Sequence, residues 1–293
     1  MKKIFAAALA MCLLLTGCRP ALPEATIQTP PATTQAPTTQ PAQSQFPEIV
    51  LTDNAHCAVT VKSIDPDGVF GYTLGVLLEN KTDLELMFSF RGVSVNGYMC
   101  DPFFAASVSP GMKANEKVSF PKERLQRSGI TEVTDITFTL AVYDGTDLMA
   151  EYLVEEEFTV YPLGEEAYRT YERPTQETDT VLFDNEDCAM IVTGFDTDSL
   201  WGYAMDVYLE NRTQKTVMFS ASDVALNGFM CDPYWAVEVA PGKKCYSQVT
   251  WSDSNLLDNG ITQVETIHLS IRVYDSADWM QGQIYQESFT LTP

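Results

Sequence analysis

The residue types that most often perform catalysis or hold metals are scarce in this chain or lack the necessary spacing. Histidine occurs only at His56 and His268 among 293 residues. A structural zinc site takes four nitrogen or sulfur ligands, and the chain has no CxxC or HxxxH spacing to supply them. It also lacks the GxSxG motif of many serine hydrolases. We therefore expect a protein that is not an enzyme and has no metal site and no cofactor.

Paired aspartates offer the remaining candidate chemistry, because acidic loops supply many of the oxygen ligands that calcium takes in extracellular modules. Such pairs recur at four predicted turns: Asp65/Asp67, Asp144/Asp147, Asp196/Asp198 and Asp275/Asp278. Aspartate also hydrogen-bonds its own backbone in turns, and no DxDxDG loop is present. Turn formation is the favoured interpretation, and calcium binding at these loops stays open.

The N-terminus predicts export and lipid attachment. Lys2 and Lys3 precede an apolar run that is too short to span a membrane, as in a signal peptide. The run ends in the sequence Leu15-Thr16-Gly17-Cys18, which is similar to a bacterial lipobox. We expect residues 1–17 to be removed and Cys18 to be lipidated. The mature protein would then be anchored at the extracellular face of the cell membrane; an ordinary secretory signal with an incidental cysteine is the alternative.

The charge of the chain is strongly negative. Eighteen basic residues against 40 acidic ones give a net charge of −22, and loss of residues 1–17 changes it to −24. Nucleic acid, which is itself an anion, is therefore excluded as a partner. The expected contact with the membrane depends on the lipid and not on charge.

Most of the chain is one sequence written twice, after a stalk. Residues 18–46 are rich in Thr, Pro and Gln and predict a disordered stalk. Residues 53–162 then align with 184–293 without a gap, with about 45 identities in 110 positions. We expect repeat 1 over 47–162, a linker over 163–180 and repeat 2 over 181–293.

Within each repeat the apolar residues alternate with a period of two, which is typical of strands. Val59 and Val61 share one face with Cys57, for example, and turn signals such as Asn96-Gly97 separate the alternating runs. One short segment looks helical in each repeat, at 122–128 and 253–259. The pattern predicts an all-β protein with two separate β-sandwiches of the same strand order, immunoglobulin-like in the first instance. A jelly roll would give a similar pattern.

Several motifs in fixed order give the chain a family resemblance. The order ENKT, NGYMCDP, PGxK, GIxxV and VYD in repeat 1 resembles tandem extracellular domains of uncharacterised surface lipoproteins of Gram-positive bacteria. The resemblance covers both repeats and is most specific at the NGYMCDP block. It implies an immunoglobulin-like fold and a location at the cell surface, and it implies no activity.

Two pairs of cysteines occupy equivalent places in the repeats: Cys57 with Cys100, and Cys188 with Cys231. Strand alternation places both thiols of a pair on inward faces. They are candidates for a disulfide in each repeat, since an exported protein can keep one, or else for buried free thiols. Cys245 has no cysteine counterpart and is expected to be a lone thiol.

All four tryptophans lie in repeat 2, at Trp201, Trp235, Trp251 and Trp279. Strand alternation places Trp235 on the inward face of its predicted strand, as expected for a core residue. Trp201 and Trp279 fall in predicted turns, and Tyr234 and Tyr208 have outward parity. We expect Trp201, Tyr234 and Trp279 to be the candidate ligand-binding residues, because exposed aromatic rings stack on sugars and form the centres of protein interfaces. Alternatively, the aromatic rings at the predicted turns fold back over the ends of the repeat and are not free to bind a ligand.

These features predict a non-catalytic binding or spacer lipoprotein with two immunoglobulin-like repeats. The alternative is a lipoprotein that binds a carbohydrate or wall polymer through repeat 2, so that the partner is a cell-wall or host glycan, or else a surface protein. A surface hydrolase would need an acid pair in a deep cleft, for which a domain of this size has little room.

Replacing Cys18 by serine tests the anchor. Serine cannot carry the thioether-linked lipid, so Cys18→Ser is expected to move the protein from the membrane fraction to the soluble fraction of lysed cells. Cys245→Ser is the control and should stay with the membrane. Equal membrane retention of the two variants would contradict lipidation at Cys18.

Overall fold

A computed structural model describes residues 46–147, 149–200, 202–278, 280 and 282–293. The predicted signal peptide, Cys18 and nearly all of the predicted stalk lie outside the described residues, as do Trp201 and Trp279. Residues 46–293 belong to one compact unit.

Repeat 1 consists of nine strands and one short helix. Their bounds are β1 Ile49–Asp53, β2 Cys57–Asp65, β3 Gly71–Asn80, β4 Leu86–Val95, β5 Tyr98–Met99, β6 Ala105–Val108, β7 Lys113–Pro121, α1 Lys122–Arg127, β8 Ile136–Asp144 and β9 Val154–Val160. The linker contains one 3-10 turn, Glu165–Ala167.

Repeat 2 has the same elements in the same order. Their bounds are β10 Thr180–Asp184, β11 Cys188–Ser199, β12 Gly202–Asn211, β13 Val217–Leu226, β14 Phe229–Met230, β15 Ala236–Val239, β16 Lys244–Trp251, α2 Asp253–Asp258, β17 Ile267–Asp275 and β18 Tyr285–Leu291. The prediction of an all-β protein is confirmed, and no helix in the described part of the chain has the length or apolar character to cross a membrane.

The strands pair in the same order in both repeats. Repeat 1 has the strand orders β1-β2-β3-β7 and β5-β4-β8-β9, with β6 beside β4. Repeat 2 has the orders β10-β11-β12-β16 and β14-β13-β17-β18, with β15 beside β13. All of these pairings are antiparallel. The equal order follows from the alignment without gaps, because no connection has changed length.

One sheet nevertheless runs through both repeats, which corrects the expectation that the repeats would be separate. β5 pairs in parallel with β16 through the single residue pair Tyr98 and Lys244. The described strands therefore form three sheets of four, nine and five strands, and the nine-stranded sheet contains strands of both repeats. The physical reason is that β5 and β16 both end a row of paired strands, so each has an edge free to bond the other.

The buried residues of each repeat come from both of its sheets. In repeat 1, Val76 on β3 and Phe88 on β4 belong to the same hydrophobic cluster as Leu140 on β8. Repeat 2 has an equivalent cluster that includes Val207 and Ile271. Burial of each such side chain contributes about 1.5–3 kcal/mol, so the alternating pattern is the main source of stability.

Turn residues end the strands as the sequence predicts. Asn96 and Gly97 have φ angles of 50° and 79°, so both central residues of this hairpin turn are left-handed. Asparagine and glycine adopt that conformation at the least cost, and it matches the twist of the flanking strands. Both predicted helical segments are also present, and Gly129 and Gly260 follow them at φ 68° and 66°.

Candidate functional site at the junction of the repeats

Four tyrosines meet where the two repeats contact each other. The ring of Tyr98 on β5 lies 5.9 Å from that of Tyr246 on β16, with nearly parallel planes, and 6.5 Å from that of Tyr208 on β12. Tyr171 of the linker packs edge-on against Tyr98 with ring centres 5.7 Å apart. Such aromatic pairs contribute about 0.5–1.5 kcal/mol each beyond the area they bury.

Strand alternation explains why these rings are available for the junction. Val207 and Leu209 are fully buried in the core of repeat 2, so Tyr208 between them points away from that core. The predicted outward parity of Tyr208 is therefore correct. Its ring is nevertheless only 5% exposed, because it packs into the hydrophobic cluster of repeat 1.

An almost buried ion pair within the linker lies at the junction. Two guanidinium nitrogens of Arg173 donate to the two carboxylate oxygens of Asp179 at 2.6 and 2.5 Å. The two side chains are only 10% and 3% exposed, and the guanidinium lies 5.5 Å from the centre of the Tyr208 ring. The hydrogen bond from Arg173 lowers the pKa of Asp179, so the carboxylate stays charged.

Lys244 joins the linker to both repeats. Its Nζ donates to the backbone carbonyl of Tyr171 at 2.9 Å and to Glu172 Oε2 at 3.1 Å. Its backbone N–H donates to the carbonyl of Gly97 at 2.9 Å, which is the hydrogen bond of the bridge between β16 and repeat 1. One residue of repeat 2 thus binds both the linker and the hairpin of repeat 1.

A crevice of about 660 Å³ opens beside this junction. Repeat 1 contributes Phe103, Arg124 and Arg127 to its wall, and repeat 2 contributes Cys245 and Tyr246. The sequence does not predict this site, because these wall residues are more than one hundred positions apart and come together only when the repeats touch. The signal in the sequence was the contrast between basic residues in the helix of repeat 1 and acidic or neutral ones at the same places in repeat 2.

The structure tests only part of the predicted ligand-binding set, since Trp201 and Trp279 lie outside the described residues. Tyr234 is 91% exposed with φ +50°, and its N–H donates to Asp232 Oδ1 at 2.9 Å. Phe103 has the same turn in repeat 1, with 77% exposure and φ +53°. An exposed ring at this position is thus a property of both repeats and does not distinguish repeat 2.

The other two tryptophans are core residues. Trp235 is 7% exposed and its Nε1–H donates to Ser247 Oγ at 3.0 Å. Trp251 is fully buried and donates to the carbonyl of Cys231 at 2.9 Å. The predicted core position of Trp235 is confirmed.

A second pocket, of about 330 Å³, lies in repeat 2 away from the junction. Its walls include Phe195 and Tyr203, whose rings are 6.2 Å apart with a 22° angle between their planes. Leu256 and Ile261 add apolar wall, and Asp253 a carboxylate. The sequence pattern did not predict this pocket. The feature that could have indicated it is the aromatic Phe195, which stands where repeat 1 has the aliphatic Ile64.

The candidate disulfides are not formed, although all four thiols are buried as predicted. Cys57 and the helix α1 lie at opposite ends of β3. Cys57 pairs with Asn80, the last residue of β3. The helix follows Pro121, which pairs with the first residue of β3. Cys100 lies at the α1 end of the repeat, close enough to α1 for the positive charge of Arg124 to oppose the rise that burial causes in the pKa of its thiol. Ten residues of strand separate these places by about 30 Å, far beyond the reach of a disulfide.

Free buried thiols are thus the correct alternative, and they are unreactive. Burial raises the pKa values of Cys57, Cys100 and Cys188 to about 11, that of the lone thiol Cys245 to about 12, and that of Cys231 above its usual value. Because thiolates are the reactive form, these side chains behave as small hydrophobic groups near neutral pH.

The aspartate pairs act as turn residues where the structure describes them. Asp144 Oδ1 accepts hydrogen bonds from the backbone N–H and the hydroxyl of Thr146 at 2.9 and 2.7 Å. Asp65 accepts from Asp67, and Asp275 from Ala277, in the same way. Within the described residues, no group of three or more His, Cys, Asp and Glu side chains is arranged to hold a metal ion.

Comparison with known proteins adds no family. No protein-family model matches the chain, and no curated protein matches it either. The resemblance to lipoprotein domains therefore remains an interpretation of the motifs, and the structure supports only its all-β class with antiparallel sheets.

Replacing Arg173 tests the ion pair of the linker. Arg173→Leu leaves the nearly buried Asp179 carboxylate without its partner, so the free energy of unfolding should fall by about 3 kcal/mol. Urea unfolding at pH 7 measures this loss. Arg169→Leu is the matched control, since within the described residues the Arg169 guanidinium donates only to the exposed backbone carbonyls of Glu166 and Tyr168; its effect should stay within about 0.5 kcal/mol.

The pH dependence has a definite sign. Because the folded pKa of Asp179 is lowered, the pair stabilises the protein fully above the unfolded pKa of about 3.9 and loses that effect as pH falls through the folded value. The difference between wild type and Arg173→Leu should therefore shrink below about pH 4. Equal losses for the two arginine variants at pH 7 would contradict the prediction.

Proposed function

We propose that this chain is a membrane-anchored bacterial surface lipoprotein, and that it is a non-catalytic spacer or binding module of two immunoglobulin-like β-sandwich repeats. The lipobox-like sequence at Cys18 supports the anchor, and the motifs shared with surface lipoproteins support the location. The antiparallel sheets of each repeat, which share one core over about 100 residues, support the immunoglobulin-like class.

The burial of Tyr208 of repeat 2 in the hydrophobic cluster of repeat 1 carries this proposal. Two modules joined by a loose linker would change their separation freely, whereas a spacer needs a fixed length. Here the tyrosine rings and the Lys244 contacts oppose bending between the repeats, and the Arg173–Asp179 pair holds the neighbouring part of the linker in one conformation. In this proposal the two rigidly joined repeats hold their outer surface at a constant distance from the end of the Pro- and Thr-rich stalk segment.

Distance measurement between the repeats tests the spacer function. Spin labels on Asp83→Cys and Gln214→Cys, which are equivalent exposed positions, should give one narrow distance distribution in the full chain. The five thiols of the described residues are buried and should not take up the label. A singly labelled sample of each variant measures any label on the remaining cysteines. Tyr208→Ala should broaden the distribution, while Tyr234→Ala, which removes an exposed ring outside the junction, should not. A broad distribution in the protein without the alanine substitution would contradict a rigid spacer.

The pocket of repeat 2 supports a second candidate, the binding of a carbohydrate or wall polymer. Its volume of about 330 Å³ suits one or two sugar rings, and Phe195 and Tyr203 supply the aromatic faces on which sugars stack. The carboxylate of Asp253 can accept hydrogen bonds from sugar hydroxyl groups. Aromatic stacking is worth about 1 kcal/mol per ring, so the affinity would be weak.

Retention on purified peptidoglycan sacculi tests this candidate. Phe195→Ala should lower the bound fraction about fivefold, as expected for the loss of one stacking ring. Ile64→Ala, the same position in repeat 1, is the matched control and should bind as wild type. If neither variant differs from wild type, the candidate is wrong and the spacer function stands alone.

A further inference from the structure

The crevice between the repeats runs along a strand edge that is only partly used. Within the β12–β16 pair, the N–H of Asn211 bonds the carbonyl of Lys243, so residues 243, 245 and 247 turn their backbone groups toward β12. By alternation, the backbone N–H and C=O groups of Lys244, Tyr246 and Gln248 point the other way.

Only the first of these outward residues has a strand partner. Lys244 pairs with Tyr98, and β5 ends one residue later at Met99. In the described part of the chain, no further strand pairing of β16 on that side reaches Tyr246 or Gln248. These two residues line the crevice of about 660 Å³ instead. The Tyr246 carbonyl accepts a weak hydrogen bond from the Cys245 thiol at 3.5 Å, and the outward N–H groups of Tyr246 and Gln248 have no strand partner within the described residues.

The spacing of these groups matches one kind of ligand. Successive outward residues of a strand repeat at about 6.6–7 Å, which is the two-residue repeat of an extended peptide and not a spacing found within a sugar ring. Added strands gain their affinity from such unused edges, and pockets beside the edge select the side chains. The crevice has the volume of a typical binding site and lies between two modules, where such sites are common.

The positive charge of the opposite wall of the crevice favours a ligand that carries a negative charge. Arg124 is exposed, its guanidinium lies 5.3 Å from the centre of the Phe103 ring, and it makes no ion pair or side-chain hydrogen bond within the described residues. Arg127 is already 3.9 Å from Asp206. Of the two arginines in the crevice wall, Arg124 is therefore the one that has no carboxylate partner among the described residues.

The acidic groups of the crevice do not cancel this charge. Asp101 accepts the backbone N–H of Phe103 at 2.7 Å and thus supports the turn, and Glu238 is exposed on β15. Basic residues are also concentrated here against the trend of a chain with net charge −22. In α2, the counterparts of the basic residues of α1 are acidic or neutral: Asp253, Asn255 and Asp258.

We propose that the crevice binds an extended peptide that carries a carboxylate side chain. The peptide adds as a strand to β16 through the backbone of Tyr246 and Gln248, and its carboxylate pairs with Arg124. This inference goes beyond the spacer function, because it requires the junction of the repeats but neither the lipid anchor nor a glycan.

A short peptide with alternating residues tests the proposal. The probe acetyl-Thr-Val-Glu-Val-Thr-amide, titrated into the isotope-labelled full chain, should shift the amide NMR signals of Tyr246 and Gln248 with a Kd of about 0.1–1 mM. Hydrogen exchange of these two amides should slow at saturation. The Gln analogue of the probe should bind about fivefold more weakly, and Arg124→Gln should abolish the difference between the two peptides.

Proline substitution separates strand addition from simple charge attraction. Gln248→Pro removes an outward N–H that the ladder to β12 does not use, and it should weaken binding at least about fivefold. Lys117→Pro is the matched control at the same position of β7 in repeat 1, and it should leave the Kd unchanged. Urea unfolding of both variants verifies that they fold.

Three outcomes would overturn the proposal. The first is no shift at Tyr246 and Gln248 with either peptide. The second is acetate binding as tightly as the Glu peptide, which would indicate a site for small anions. The third is an equal loss of affinity in the two folded proline variants, which would show that the edge of β16 is not the docking strand.

Discussion

The packing of Tyr208 of repeat 2 against Tyr98 of repeat 1 is the contact on which the arrangement of this protein depends. The strand face of repeat 2 that carries the Tyr208 ring would otherwise meet water, and burying that ring requires repeat 1. The bridge between β5 and β16 and the Arg173–Asp179 pair of the linker lie around this contact. The two repeats are thereby joined in one compact unit.

The two repeats have equivalent cores and turns, and they differ in the residues at their surfaces. Asn80 and Asn211 make equivalent buried hydrogen bonds to backbone carbonyls, and the Asn-Gly turns have equivalent left-handed angles. The differences lie elsewhere: Arg124 faces a crevice that exists only at the junction, and Phe195 lines a pocket in repeat 2. Duplication thus preserved the parts that keep each repeat folded, and the surfaces diverged.

Local sequence patterns predicted the elements because each pattern has a local physical cause. Alternation along a strand determines which side chains face the core, so the burial of Cys57 and Trp235 could be inferred from parity alone. The same reasoning failed for the disulfides, since parity gives the face of a residue but not its position along the sheet. It also gave Tyr208 the correct direction and the wrong environment, because the ring meets the other repeat and not water.

The sequence by itself determined the duplication, the all-β class, the turns, the short helices and the inward thiols, since these depend on contacts within a strand or between neighbours in the chain. Only the tertiary structure decided that the thiols stay apart, that one sheet joins the repeats, and that a crevice opens between them, with an arginine that has no ion-pair partner among the described residues. Each of these depends on distances between residues that are remote in the chain. Such distances follow from how two folded faces fit, which no local pattern encodes.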